Sequence, residues 1–182
     1  MEKTVNQFDK AAEKCKDIFV KKMDDYGISW RILRPSSITD QIYIKANRIR
    51  SIEEKGEKKV DEGIIPEYIG IINYSVIALI QLELGFSDKE DLARDEVISL
   101  YDKYLAEAKA LMLDKNHDYG EAWRNMRGSS YTDIILMKLL RVKEIEDNEG
   151  ETKISEGLDA NYFDIINYAV FALIKLDKEG ED

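Results

Sequence analysis

The chain writes one polar sentence twice. Asp25–Asp40 reads DYGISWRILRPSSITD, and Asp118–Asp133 reads DYGEAWRNMRGSSYTD. The identities continue through Lys45 and Arg48, which align with Lys138 and Arg141. After a one-residue insertion near Asn148, EYIGIINYSVIALIQL (Glu67–Leu82) matches NYFDIINYAVFALIKL (Asn161–Leu176). A repeat found early prevents a misread fold, and this one is too long for a solenoid unit. It predicts two similar halves, residues 1–86 and 87–182, packed as one compact domain around a pseudo-two-fold axis.

Each half carries three helical patterns. The first runs through Phe8, Ala11, Ala12, Cys15, Ile18, Phe19 and Met23, with a counterpart through Leu100, Tyr104, Leu105, Ala108, Leu111 and Met112, both at i, i+3, i+4 spacing. Ser87 with Glu90 resembles a capping box opening the latter. Gly27 and Gly120 suit the left-handed position that ends these helices. The second helices are expected to start after the Ser-Ser pairs, with Ser37–Asp40 and Ser130–Asp133 at capping-box spacing, and to run to about Glu54 and Asp147. The third cover roughly Ile65–Leu84 and Asn161–Leu176. EKGEKKVDEG (54–63) and DNEGETKISEG (147–157) read as exposed polar loops. With no convincing strand alternation, the expected fold is all-α, a bundle built by duplicating a three-helix unit.

Composition narrows the functional classes. Of 182 residues, 44% are hydrophobic, enough for a sizeable core. A net charge of -10 argues against sequence-independent binding to a phosphate backbone, so no direct nucleic-acid partner is expected; a small anion in a local basic pocket stays compatible. A single cysteine, Cys15, excludes an internal disulfide and falls in an apolar stripe. The start, MEKTVNQFDK, lacks the apolar run of a signal peptide, and no segment reads as membrane-spanning, so a soluble cytoplasmic protein is expected. The apolar third helices make a homodimer plausible.

Chemistry concentrates where charge meets apolar helix. In IILMKLLRV, Lys138 and Arg141 share one side of an otherwise apolar helix; Lys45 and Arg48 repeat them. In YFDIINYAVFALI, Asp164 and Asn167 are the complementary oddity, while the first half keeps Asn73 but has Gly70 for Asp164 and Glu67 one turn earlier. Two readings follow: a buried ion pair fixing helix register, or a polar pocket between helices in which Lys and Arg hold phosphate oxygens and Asp holds a divalent cation. An Asp164 bridge to Lys138 or Arg141 with no adjoining cavity would select the first. In the repeated tract, Arg31, Arg34, Arg124 and Arg127 are candidates for phosphate or carboxylate binding, with Ser129 and Ser130 at a helix start where anions also bind. Trp123 (with Trp30) reads as a core anchor or a stacking surface for a base, and Tyr119 is a second candidate to flank one. His117 stands where the other copy has Asp24 and reads as a surface residue.

The tracts DYGxxWR…SSxTD…KxxR and DIINYAxFAL resemble those of the nucleotide-modification-associated domain family, over nearly the whole chain and as the tandem copies common there. More remotely, their order is similar to the all-α nucleoside triphosphate pyrophosphohydrolases (MazG-like). That second resemblance implies a bundle binding a small-molecule nucleotide through Mg²⁺, with water attacking the α-phosphorus to release pyrophosphate. Lys138, Arg141, Asp159, Asp164 and Asn167 fit the later part of the pattern; Lys45, Arg48, Glu67 and Asn73 fit it in the first half, without the acid at Gly70. The paired-glutamate helix Glu-Glu-x-x-Glu has no counterpart, since Glu53-Glu54 is followed by Gly56 and Glu57. Carried over, Asp164 with Asp159 or Glu156 would hold Mg²⁺, Lys138 and Arg141 would hold phosphates and stabilise charge, and Arg124 and Arg127 would close over the triphosphate. The alternatives kept open are a non-catalytic nucleotide-binding or sensing module and a purely structural helical interaction protein.

Overall fold

A computed structural model describes residues 1–56, 60–153 and 156–179. Among the described residues the regular structure is entirely helical: α1 (Glu2–Tyr26), α2 (Pro35–Lys55), α3 (Val60–Leu84), α4 (Arg94–Tyr119), α5 (Gly128–Asp147) and α6 (Leu158–Glu179), with single 3-10 turns at Ser29–Ile32 and Ala122–Asn125. This is the all-α duplication expected from the sequence.

Packing sorts the helices into three layers. α3 and α6, the most apolar, lie against each other in the middle, with α2 and α5 paired on one side and α1 and α4 on the other. Ile71, Ile72, Val76 and Ile80 of α3 and Ile165, Ile166 and Val170 of α6 are fully enclosed. Each such side chain contributes about 1.5–3 kcal/mol of transfer free energy on burial. α3 is also the exception to the expectation that no segment is membrane-spanning. Gly63–Leu84 is long and apolar enough to cross a bilayer by length and composition, but 72% of that window is covered inside the protein. Burial on nearly every face requires an apolar surface nearly all round, and a core helix then shares its composition with a membrane helix.

The halves exchange contacts reciprocally. The Tyr68 hydroxyl on α3 lies 2.8 Å from that of Thr132 on α5, and the Tyr162 hydroxyl on α6 meets that of Thr39 on α2. All four side chains are buried. The Thr of the repeated tract is thus the hydroxyl that receives the other half's third helix.

Several expected boundaries move. α2 and α5 start at Pro35 and Gly128, before the Ser-Ser pairs, with Arg34 and Arg127 at the N-caps and no side-chain cap bond. Pro35 supplies the start, because its fixed φ suits the first helical position and its missing N–H is no loss there. The serines therefore sit inside the first turn. Ser87 and Glu90 do not open α4, which begins at Arg94. Instead Glu90 accepts a hydrogen bond from the Ile28 N–H at 2.6 Å, ending the turn after α1. Gly27 has φ 71° and Gly120 φ 63°, so both need glycine, although their ψ values near -150° place them outside the left-handed helical region. α3 starts at Val60 rather than Ile65, so Pro66 lies within it and the expected loop 54–63 is partly helical. Residues 57–59 of that loop and 154–155 of the loop 147–157 lie outside the described residues.

Candidate functional site

Three helices of the second half converge on one carboxylate. Asp164 of α6 is buried, and its two oxygens are taken separately: Lys115 Nζ of α4 lies 2.5 Å from Oδ1, and Lys138 Nζ of α5 lies 2.8 Å from Oδ2. Burial works to raise the Asp164 pKa, but the hydrogen bonds and charges of the two lysines outweigh it and hold the carboxyl below its usual range. Lys115 answers in the opposite sense. Desolvation works to lower its pKa, yet Asp164, with Glu156 and Tyr168 nearby, carries it above the ordinary lysine value. Two ammonium groups thus share the Asp164 carboxylate, with Glu156 acting on Lys115 from further off.

Of these three side chains, Lys138 lines a groove. Beside the cluster is an open cavity of about 1020 Å³, lined by the cations Lys138, Arg141 and Lys153, by the acids Glu144, Asp147, Glu151 and Glu156, and by Met137, Leu140 and Asn161 among others. Arg141 is exposed on its wall, and so are the apolar side chains of Met137 and Leu140. The bridge that would mark a register pair is therefore present, but so is the adjoining cavity that such a pair alone does not need.

The first half builds the same place differently. Glu67 accepts from Arg48 at 2.6 Å and lies 3.7 Å from Lys45 Nζ. At Gly70 an added Cβ would lie 3.0 Å from Cδ and Cε of Lys45, so the lysine stem runs where the second half has the Asp164 side chain. Lys45 Nζ also stands 5.6 Å from the Tyr74 ring centre.

The repeated tract is placed elsewhere. Ser129 and Ser130 lie nine and eight residues before Lys138 on α5, ~12–14 Å at the helical rise, and neither they nor Tyr119, Trp123, Arg124 or Arg127 lines the groove. Arg31 is buried and committed internally: its Nε lies 2.9 Å from Asp91, and it donates to Gln81 and to the Gly85 carbonyl at 2.6 Å. Arg124 donates to Glu121 at 3.0 Å, Thr4 at 2.6 Å and Gln7 at 2.8 Å. Phosphate binding by these two is thus replaced by holding the turn in place. Gln81 fastens the first turn by donating to the carbonyls of Arg31 and Leu33, both at 2.8 Å, and Lys175 fastens the second by donating to the Met126 carbonyl. Arg34 and Arg127 stay exposed at their helix starts.

Trp123 is buried with its ring stacked on Phe171 at 4.2 Å and the Arg124 guanidinium 4.3 Å from its centre, which leaves no face for a base. Tyr119 is fully in solvent at 79% exposure, and His117 is exposed beside Asp118. Asn167 faces the core, donating to the Ala108 carbonyl at 3.0 Å as Asn73 donates to that of Cys15 at 3.1 Å. Cys15 is enclosed, and burial pushes its thiol up to about 12.

Lys115 was missed by the sequence reading. It aligns with Lys22, and the repetition of a lysine just before DYG in both halves was the available signal.

The model of one protein family, nucleotide modification associated domain 1, matches the chain twice, over residues 22–82 and 115–176. The chain belongs to that family. No curated protein and no solved structure matches it. The second domain match begins at Lys115 and takes in Lys138, Arg141 and Asp164, so the whole cluster lies within a single family unit.

The three residues expected to hold Mg²⁺ do not come together. Both oxygens of Asp164 face ammonium groups, which a cation would have to displace. Asp159 lines a separate cavity with Glu83, Lys103 and Phe163, whereas Glu156 lines the groove. No group of three or more His, Cys, Asp or Glu side chains suited to a metal occurs among the described residues. Magnesium normally enters through one or two free carboxylates together with substrate phosphates. Asp164 instead serves as the shared counter-ion of Lys115 and Lys138.

Proposed function

We propose that this nucleotide modification associated protein binds a nucleotide in the groove of its second half, with its phosphates against Lys138 and Arg141. The observation that carries the reading is the Lys115–Asp164–Lys138 cluster, two ammonium groups on one carboxylate, whose Lys138 lines a groove together with the exposed Arg141 and with Lys153, although the acids Glu144, Asp147, Glu151 and Glu156 line it too. Such a cluster attracts oxyanions, and a guanidinium can hold a phosphate through two parallel hydrogen bonds. Met137 and Leu140 offer apolar surface for a base or sugar on the same wall. The family description adds support by associating the domain with nucleotide modification.

The reading is of a binding or sensing module rather than of a hydrolase. An Asp164 neutralised by two lysines is a poor general base and a poor metal ligand. A thermal-shift screen of NTPs and dNTPs, with and without Mg²⁺ and with pyrophosphate release followed in parallel, tests it. Stabilisation without release, weakened in Lys138→Met and Arg141→Ala, is the expected result. Release that Asp164→Ala abolishes while the protein stays folded would restore the pyrophosphohydrolase reading. No stabilisation by any nucleotide would leave a structural role for the ion cluster.

A further inference from the structure

The two halves differ at one paired position in a way that marks where an anion sits. Glu67 of the first half aligns with Asn161 of the second. The Glu67 carboxylate lies between Lys45 and Arg48, 3.7 Å from one and 2.6 Å from the other, and is itself buried. Lys138 and Arg141 take the corresponding places in the second half, but Asn161 brings no charge and donates its amide to the Gly157 carbonyl at 2.9 Å. Asp164 engages Lys138 and not Arg141. The second half therefore keeps the cation pair, with Lys138 on Asp164, and lacks the carboxylate that joins the two cations in the first; Glu144, Asp147, Glu151 and Glu156 line the same groove without an ion pair to Arg141.

We infer that Glu67 is a built-in occupant of the first half's anion subsite, and that the same subsite in the second half, Lys138–Arg141–Asn161, receives an anionic group of an external ligand. This deepens the nucleotide reading, on which it rests for the identity of the rest of the ligand. The chemical class is a phosphate or carboxylate group small enough to bridge an ammonium and a guanidinium. A planar carboxylate on Arg48 is the intramolecular form of the contact that a phosphate makes with an arginine. Self-occupation leaves one open subsite per chain. Glu67 is thereby a residue that decides which half binds.

Inorganic pyrophosphate is the probe, because the inference concerns the anion subsite and not the base. Isothermal titration of the full chain should give one equivalent bound. Asn161→Glu, which copies the first half, should weaken that binding by about tenfold or more, as filling a charged pocket with its own counter-ion does. Glu67→Asn, which copies the second half, should gain a second equivalent, and Arg48→Ala added to it should remove that equivalent. Glu67→Gln keeps the shape and loses the charge, and should gain the second equivalent even if Glu67→Asn folds poorly; circular dichroism checks each variant. Unchanged binding in Asn161→Glu with no gain in either Glu67 variant would overturn the inference. That result could stand beside nucleotide binding that depends on Lys138, so the inference can fail without the parent reading. Conversely, the pyrophosphate pattern can hold where no nucleotide stabilises the protein.

Discussion

The Tyr101 hydroxyl donates to the Asn73 side-chain oxygen at 2.8 Å inside the core, while the matching oxygen of Asn167 has no partner. The difference traces to one residue, because the first half has Phe8 where the second has Tyr101. Each asparagine ties its third helix to the carbonyl of its own first helix, but only Asn73 is also gripped by the other half.

Tyr101→Phe should therefore destabilise the protein by about 1–3 kcal/mol, the cost of leaving a buried acceptor unpaired. Urea unfolding measures it. A loss of only a few tenths of a kcal/mol would mean that the Asn73 oxygen finds another donor.

The arginines of the repeated tract should separate by burial. Arg31→Leu removes bonds to Asp91, Gln81 and the Gly85 carbonyl, and should lower the thermal midpoint clearly. Arg34→Ala and Arg127→Ala lie on exposed surface and should stay within about 0.5 kcal/mol of the parent. Equal effects at Arg31 and Arg34 would refute the assignment of Arg31 to holding the turn.

Two kinds of carboxyl should give opposite pH dependence. Asp164 is held below its usual range, so its stabilising contribution is present above the unfolded carboxyl pKa and is lost as pH falls through the lowered folded value. Glu53 and Glu146 are raised, first by burial and then by the neighbouring Asp133 and Asp40, against a hydrogen bond from Thr132 or Thr39 that lowers them. Their contribution is full below the unfolded glutamate pKa and is lost as pH rises through the raised folded value. Urea midpoints across pH should thus show Glu53→Gln and Glu146→Gln more stable than the parent at neutral pH, with the gain vanishing in acid. Asp164→Asn should be less stable at neutral pH, its deficit shrinking in acid. A deficit for Asp164→Asn that does not change with pH would sink the charge argument.

Helix content was legible because the apolar spacing of Phe8 to Met23, and of its counterpart, allows little else. The duplication correctly paired Lys45 with Lys138 and located Asp164. What stayed hidden were contacts between elements distant in sequence. The bridge from Lys115 to Asp164 joins α4 to α6, and no local pattern announces it. Nor does spacing distinguish an arginine that recognises a ligand from one that fastens a turn, and Arg31 and Arg124 proved to fasten turns. The Ser-Ser pairs misled because a serine inside the first turn and a serine at the cap look alike in sequence; the helix starts at Pro35, a signal the reading did not use.

The central claim is that the second half's cluster binds nucleotide phosphate. Titrating ATP into the parent and into Arg141→Ala, at low and at moderate salt, tests it most directly. The account predicts saturable binding by the parent that weakens as salt rises, and a loss of about tenfold or more on removing the exposed guanidinium. Equal ATP affinity in the two proteins, or no binding by the parent at low salt, would contradict it.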